Sequence, residues 1–242
     1  MTSWSEQLMN TKVNTLKSKL NRIPHLELPL TFDASKIHDE IKNLPYPLMP
    51  YIAYANTGTE TSWNSLALYA TDGSIFSNPK ETWEGEFEAT GLQDFMPYTY
   101  QTIQNFRGGS LLARIEEILP HSTAGWHSHT MEQYQPDWLV VCQLPVVMPA
   151  KSKFSIVSYT DYRGSDFRTA PRTFEKTYET GKVYVFNSYH YHNVFNHSDD
   201  SMIMIRFYLD LRDNHVYDVI EKAVCSYDGE LIDTYDDFIA RI

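Results

Sequence analysis

The chain has 242 residues, 42% hydrophobic and 14% aromatic, with 17 Tyr and a net charge of -11. This length supports one sizeable core, and the aromatic content favours a folded, strand-rich protein over a disordered one. The acidic balance, with a pI near 5.2, excludes a general binder of nucleic acid or of anionic membranes, both of which require excess Lys and Arg.

From Ser5 to Ile23, the residues Leu8, Val13, Leu16, Leu20 and Ile23 recur at helical spacing and Pro24 ends the pattern, which predicts an N-terminal helix. Ser35 to Leu44 predicts a second, with Ile37, Ile41 and Leu44 on one face and Pro45 stopping it. From Tyr51 to Phe76 the text is β-like, and Thr61 to Tyr69 predicts a strand ending in the turn signal Thr71-Asp-Gly73. Phe95 to Phe106 predicts a helix begun by Pro97 and broken at Gly108-Gly109. Strands are then predicted at Ser110 to Leu119, Leu139 to Val147, Lys153 to Tyr159, Thr173 to Thr177, Lys182 to Phe186, Val194 to Phe195 and Met202 to Leu211. So many short strands in succession imply a sandwich or barrel. In the tail from Asn214, Val216, Val219, Ile220 and Val224 stand at helical spacing, and a second amphipathic piece runs from Leu231 to Ile242. The tail caps the barrel or makes a homodimer contact.

The expected organisation is one domain over 1–242: a helical part at 1–50, a β core at about 51–212 and a helical tail at 213–242. With only Cys142 and Cys225, a polar start at Met1-Thr-Ser-Trp-Ser-Glu6 and no apolar run of bilayer length, the expectation is a cytoplasmic protein without a disulfide framework or membrane span.

His127-Ser128-His129 carries the chemistry. Histidines one apart on a strand point the same way, so His127 and His129 can face one ion while His192 closes from another strand. Imidazole suits iron, zinc, copper and nickel, and an open coordination position makes such an ion catalytic. Arg206 lies on an otherwise apolar strand, Ser201 to Asp210, where a buried guanidinium requires a partner. Two partners fit: a dicarboxylate co-substrate held in a bidentate fork, or an internal salt bridge. Trp63, Asn64, Trp126, Trp138, Gln143, Arg168, Tyr189 and His190 are candidates for the pocket mouth; His190 shares strand parity with His192 unless a turn at Asn187-Ser188 intervenes. His25, His38, His197 and His215 read as surface histidines, and His121 as a turn residue.

The stretches Ala113-Arg-Ile-Glu-Glu-Ile-Leu-Pro120, Gly125-Trp-His-Ser-His129, Val141-Cys-Gln-Leu-Pro-Val146, Thr180-Gly-Lys-Val-Tyr-Val-Phe-Asn187 and His192-Asn-Val-Phe-Asn196, followed by the Arg206 strand, resemble the aspartyl/asparaginyl β-hydroxylase family, which includes free-proline hydroxylases. The resemblance runs from about Trp63 to Leu211. It implies a mainly β, double-stranded β-helix (a jelly-roll, cupin-like fold) with flanking helices. It also implies a non-haem Fe(II) and 2-oxoglutarate-dependent dioxygenase that uses O2 to hydroxylate an amino acid, free or in a small peptide. In that family the ligand His stands seven residues after the proline that ends the preceding strand, which is His127 after Pro120, and His192 matches the distal ligand. Arg206 lies on the strand that supplies the base for the co-substrate's far carboxylate, though in many members that base is nearer the distal His. Gln143 falls where relatives place a His facing the cofactor.

The family's facial triad has two His and one Asp or Glu, whereas here the position two after His127 is His129. Three shells follow: His129 as a third nitrogen ligand, Glu132 as the oxygen donor with Asp137 in reserve, or His127 and His192 alone with water. A shell without a carboxylate also leaves room for a halide, hence a halogenase variant. The alternative enzyme is a cupin-type metal-dependent dioxygenase or isomerase that uses no 2-oxoglutarate, with His127, His129, Glu132 and His192 as its site. A metal-free cupin-like binding module is disfavoured by three histidines at ligand spacing.

Overall fold

The structure, a computed structural model, describes residues 4–50, 63–76, 86–106, 111–128, 138–157 and 173–232. Helix α1 (Trp4–Leu20) buries Val13, Leu16 and Leu20 and stops short of Pro24. It is followed by β1 (His25–Thr31), which no sequence signal predicted. Pro29 conceals this strand, and it is tolerated because β1 lies at the sheet edge and its register breaks between Leu28 and Thr31. Helix α2 (Ala34–Lys42) buries Ile37 and Ile41; its N-cap Asp33 accepts from the Lys36 N–H at 3.2 Å. Then come β2 (Met49–Pro50), β3 (Trp63–Ala70) and β4 (Glu88–Ala89). Helix α3 (Pro97–Phe106) opens on Pro97 as its first residue, where the missing N–H costs nothing.

The strands that follow are β5 (Ala113–Ile118), β6 (Ser122–Thr123), β7 (Leu139–Val147), β8 (Ser152–Val157), β9 (Thr173–Lys176), β10 (Lys182–Phe186), β11 (His192–Asn196) and β12 (Met202–Asp210). Helix α4 (Asn214–Cys225) is capped by Asp213, which accepts from the Val216 N–H at 3.0 Å. The strand predicted at Val194 to Phe195 therefore begins earlier, on His192 itself. Most of the amphipathic piece predicted from Leu231 lies outside the described residues.

Among the described residues the strands form two antiparallel sheets. The larger has the order β1-β10-β7-β12-β5-β3-β2 with β4 added on β3, and the smaller has the order β6-β11-β8-β9. The central strand β12 is buried on both faces, which is why it reads as an almost continuous apolar run. One face of the large sheet, through Leu66, Ile115, Val183, Ile205 and Phe207, packs with residues of α1, α2, α3 and α4 in one core. The other face, through Trp63, Ile118, Tyr184, Phe186 and Met204, meets Phe154, Ile156 and Val194 of the small sheet. Among the described residues, no helix is long and apolar enough to cross a membrane.

His25 corrects the sequence reading. It is buried at 6% exposure, because β1 docks its side chain against Tyr178 and Phe186. Its Nε2 faces the Phe174 carbonyl at 3.4 Å and so donates, which leaves Nδ1 to accept from the Tyr178 hydroxyl at 2.9 Å. Burial lowers its pKa from 6.5 to about 4. Between those values the unfolded chain binds a proton that the fold refuses. Stability is therefore full above pH 6.5 and falls, by about 3 kcal/mol, as the pH drops to 4. Urea unfolding at pH 7.5 and 4.5 is expected to show a shallower pH dependence in His25→Gln; an unchanged slope would assign the loss to other groups.

Candidate metal centre

Gly125, at a φ of +83°, takes the left-handed conformation that favours glycine and turns the chain after β6. Two residues later His127 forms an antiparallel bridge with His192, the first residue of β11. The His127 N–H donates to the His192 carbonyl at 3.0 Å and the His192 N–H donates back at 2.8 Å. Directly opposed residues of an antiparallel pair project to the same face. Accordingly the two imidazole centroids lie 4.3 Å apart, with the rings inclined at 59°.

Both rings are oriented in the same way. The Nδ1 of His127 lies 2.9 Å from the Gly125 carbonyl, and the Nδ1 of His192 lies 2.7 Å from the His190 carbonyl. A carbonyl only accepts, so in each neutral ring Nδ1 holds the hydrogen and Nε2 carries the lone pair. That tautomer is the one typical of a metal-bound histidine. Burial pulls His127 below its ordinary pKa; the Gly125 bond opposes this and the Arg206 charge reinforces it. The ring is thus held neutral near pH 7, as a metal ligand must be. A donor set of two neutral imidazoles fits a divalent transition metal, and the ring separation suits adjacent positions on one ion.

A cavity of about 20 Å³ lies beside the pair, lined by His127, His192, Trp63, Glu116, Gln143 and Arg206 among others. It has room for about one water. Arg206, on β12, is 4% exposed, and its Nη2 stands 2.8 Å from Oε1 of the equally buried Glu116. Its guanidinium also lies over the Trp63 ring at 5.4 Å and the Tyr208 ring at 5.8 Å. The partner that burial demands is therefore supplied, at one edge of the guanidinium, by the protein itself. In the sheet register Arg206 is flanked by Gln143 on β7 and Arg114 on β5. Arg114 Nε donates to Ser65 Oγ at 2.9 Å, and that hydroxyl donates to the Ile115 carbonyl at 2.7 Å. The buried Gln143 side-chain oxygen accepts no hydrogen bond among the described residues.

An oxidoreductase of the 2OG-Fe(II) oxygenase family from Burkholderia pseudomallei is similar over 84% of this chain and 92% of its own, with a TM-score of 0.51 and 14% identity. The fold is a double-stranded β-helix. The non-haem alpha-ketoglutarate-dependent epimerase SnoN from nogalamycin biosynthesis aligns over 83% of this chain and 84% of its own, at a TM-score of 0.47 and 11% identity. A cupin domain from Bordetella pertussis Tohama I aligns over 40% of this chain and 78% of its own, at a TM-score of 0.27 and 15% identity. No protein-family profile and no curated protein matches the sequence.

Within the double-stranded β-helix, His192 comes from the small sheet and Arg206, Gln143 and Trp63 from the large one, so the candidate site lies between the two. Other candidates stand elsewhere. Asn64 donates from Nδ2 to Glu117 at 2.8 Å, away from its neighbour Trp63, as alternation along a strand requires. Trp138 stacks under the Arg212 guanidinium at 3.8 Å, and Trp126 stacks on Tyr191. Tyr189 is exposed. His190 loses its parity with His192 to the turn between β10 and β11, and its Nε2 donates to the Asn21 carbonyl at 2.7 Å. His129, Glu132, Asp137 and Arg168 lie outside the described residues. Among the described residues, no group of three His, Cys, Asp or Glu is placed to hold a metal.

Glu116, Arg114 and Ser65 are the site-side residues that the sequence reading missed. Their signal was the alternation of Arg114 and Glu116 along β5, which is indistinguishable from a solvent-facing strand until the barrel closes.

Proposed function

We propose that this chain is a non-haem Fe(II) and 2-oxoglutarate-dependent dioxygenase that hydroxylates an amino acid, free or in a small peptide. The observation that carries the reading is the His127–His192 pair in the metal-binding tautomer, with the buried Arg206 lining the same cavity. The resemblance of the surrounding stretches to the aspartyl/asparaginyl β-hydroxylase family supports it further.

Held by His127 and His192, ferrous iron would supply O2 activation coupled to decarboxylation of the 2-oxo acid. The chain's own part is to hold and orient. The two Nδ1 bonds fix the ring planes, so that little ordering is left to the moment of metal binding. Arg206 offers a planar fork for the far carboxylate of the diacid, and Glu116 sets the rotation of that fork by its contact at Nη2. Trp63 and Tyr208 flank the guanidinium and limit its hydration, which strengthens a charge-assisted bond there. Because the cavity beside the pair holds about one water, binding of a five-carbon diacid requires its lining side chains to move. His129 or Glu132 would complete the protein's share of the shell, or water would fill the remaining position.

Under anaerobic conditions, Fe(II) plus 2-oxoglutarate is expected to give a weak visible charge-transfer band, and 2-oxoglutarate to raise the melting temperature of the iron-loaded protein. Succinate formation stimulated by one of the common amino acids then names the substrate, and the same screen with chloride present detects halogenation. Iron binding with neither the band nor the protection would overturn the reading in favour of the cupin-type enzyme that uses no 2-oxoglutarate.

A further inference from the structure

We propose that the carboxyl end of helix α1 is part of the metal centre, and that Asn187 and His190 are positioning residues tying the His192-bearing turn to it. The inference rests on the metal reading of His127 and His192.

Between the end of β10 at Phe186 and the start of β11 at His192 the chain makes a short turn. Strand pairing reaches only its last residue, Tyr191, whose carbonyl accepts the Val157 N–H at 2.9 Å. The last carbonyls of a helix lack partners within it and must find donors elsewhere. Here the turn donates to Leu20, the last residue of α1, and to carbonyls of the segment that follows it. Asn187 Nδ2 donates toward the carbonyls of Leu20, Asn21 and Ile23 at 3.3, 3.0 and 3.2 Å. His190 Nε2 donates to the Asn21 carbonyl at 2.7 Å. Both side chains are 7% exposed, so each bond would be costly to leave unmade. The same end of α1 is pinned to the large sheet, where Lys17 Nζ donates to the Leu139 carbonyl at the start of β7 at 2.5 Å.

His190 thus faces two ways. Its side chain is held by α1, and its main-chain carbonyl accepts the Nδ1–H of His192 at 2.7 Å, setting the tautomer and tilt of that ring. The corresponding carbonyl for His127 belongs to Gly125, which has no side chain to anchor. One ligand ring is therefore aligned by local turn geometry, and the other by a helix whose nearest residue lies more than 150 positions earlier in the chain. A group bonded directly to a ligand ring typically changes metal affinity by about 10- to 100-fold; here that group is the His190 carbonyl, and the His190 and Asn187 side chains act through it, so their effect lies toward the lower end. A purely structural cap on α1 would alter stability and leave the affinity of the folded protein untouched.

The test is Co(II) titration of the metal-free full chain, followed by visible absorbance, with thermal melts of each metal-free variant alongside. His190→Ala and Asn187→Ala are expected to weaken Co(II) binding by about tenfold, the lower end of the range for a direct partner, at temperatures where the melts show them folded. His190→Gln, whose amide nitrogen reaches close to the position of Nε2, is expected to restore affinity to within about threefold. Should an alanine variant fail to fold, His190→Asn, too short to reach the Asn21 carbonyl, carries the same expectation of weakened binding. Folded variants with parental Co(II) affinity would overturn this proposal alone. A parent that binds no Co(II) would overturn the metal reading, and this proposal with it.

Discussion

His127→Ala and His192→Ala are each expected to lower divalent-metal affinity by more than about a hundredfold while the protein stays folded. The bridge that aligns the two residues is made by main-chain groups, so it survives loss of either imidazole. His192 is 2% exposed and stands edge-on to Phe186 at 4.8 Å. Its truncation leaves a small void and is expected to destabilise by about 2–3 kcal/mol. His127 is partly exposed, so its replacement should cost less. Isothermal titration with Fe(II) or Co(II), read beside thermal melts, separates affinity from stability. Variants that bind as tightly as the parent would remove both the metal centre and every enzymatic reading built on it.

The second large effect concerns Arg206 and Glu116. Arg206→Met is expected to destabilise the fold by about 3–5 kcal/mol, because it leaves the Glu116 carboxylate buried in the barrel without its cation. It is also expected to weaken 2-oxoglutarate binding by at least roughly 30-fold and metal binding far less. The double variant Arg206→Met with Glu116→Leu removes both charges, so it should recover most of the stability and none of the 2-oxoglutarate affinity. Urea unfolding of the parent, Arg206→Met, Glu116→Leu and the double variant gives the coupling, and 2-oxoglutarate titration of the metal-loaded forms gives the binding. Equal loss of metal and co-substrate in Arg206→Met would make the residue a structural ion pair and nothing more.

These outcomes depend on residues of unequal legibility. His127 and His192 stand out in the sequence because imidazoles at ligand spacing have a chemical meaning of their own. Arg206 stands out because a charge in an apolar run requires explanation. Trp63 and Gln143 were named from their stretches and line the cavity with these three. Asn64 and Trp138 read as polar or aromatic groups for the pocket mouth, and strand alternation and the Arg212 stack turn them elsewhere. His190 was named as a pocket residue through its parity with His192; the intervening turn sends its side chain to α1. Glu116 and Arg114 gave no warning, since charges at alternate positions of a strand ordinarily face water.

The sequence by itself determined several elements: the helix ended by Pro24, the helix opened by Pro97, the alternation of the β5 stretch and the apolar run of β12, all set by local backbone chemistry and side-chain period. It also determined which side chains have metal and anion chemistry to offer. Only the tertiary structure decided that β1 exists at the sheet edge, that His127 and His192 are backbone partners across 65 residues of chain, and that Glu116 faces Arg206 inside the barrel. Those facts follow from the register of long-range strand pairs and the closure of one sheet over the other. Both are fixed by which faces can be buried together, a property that no local stretch of the chain contains.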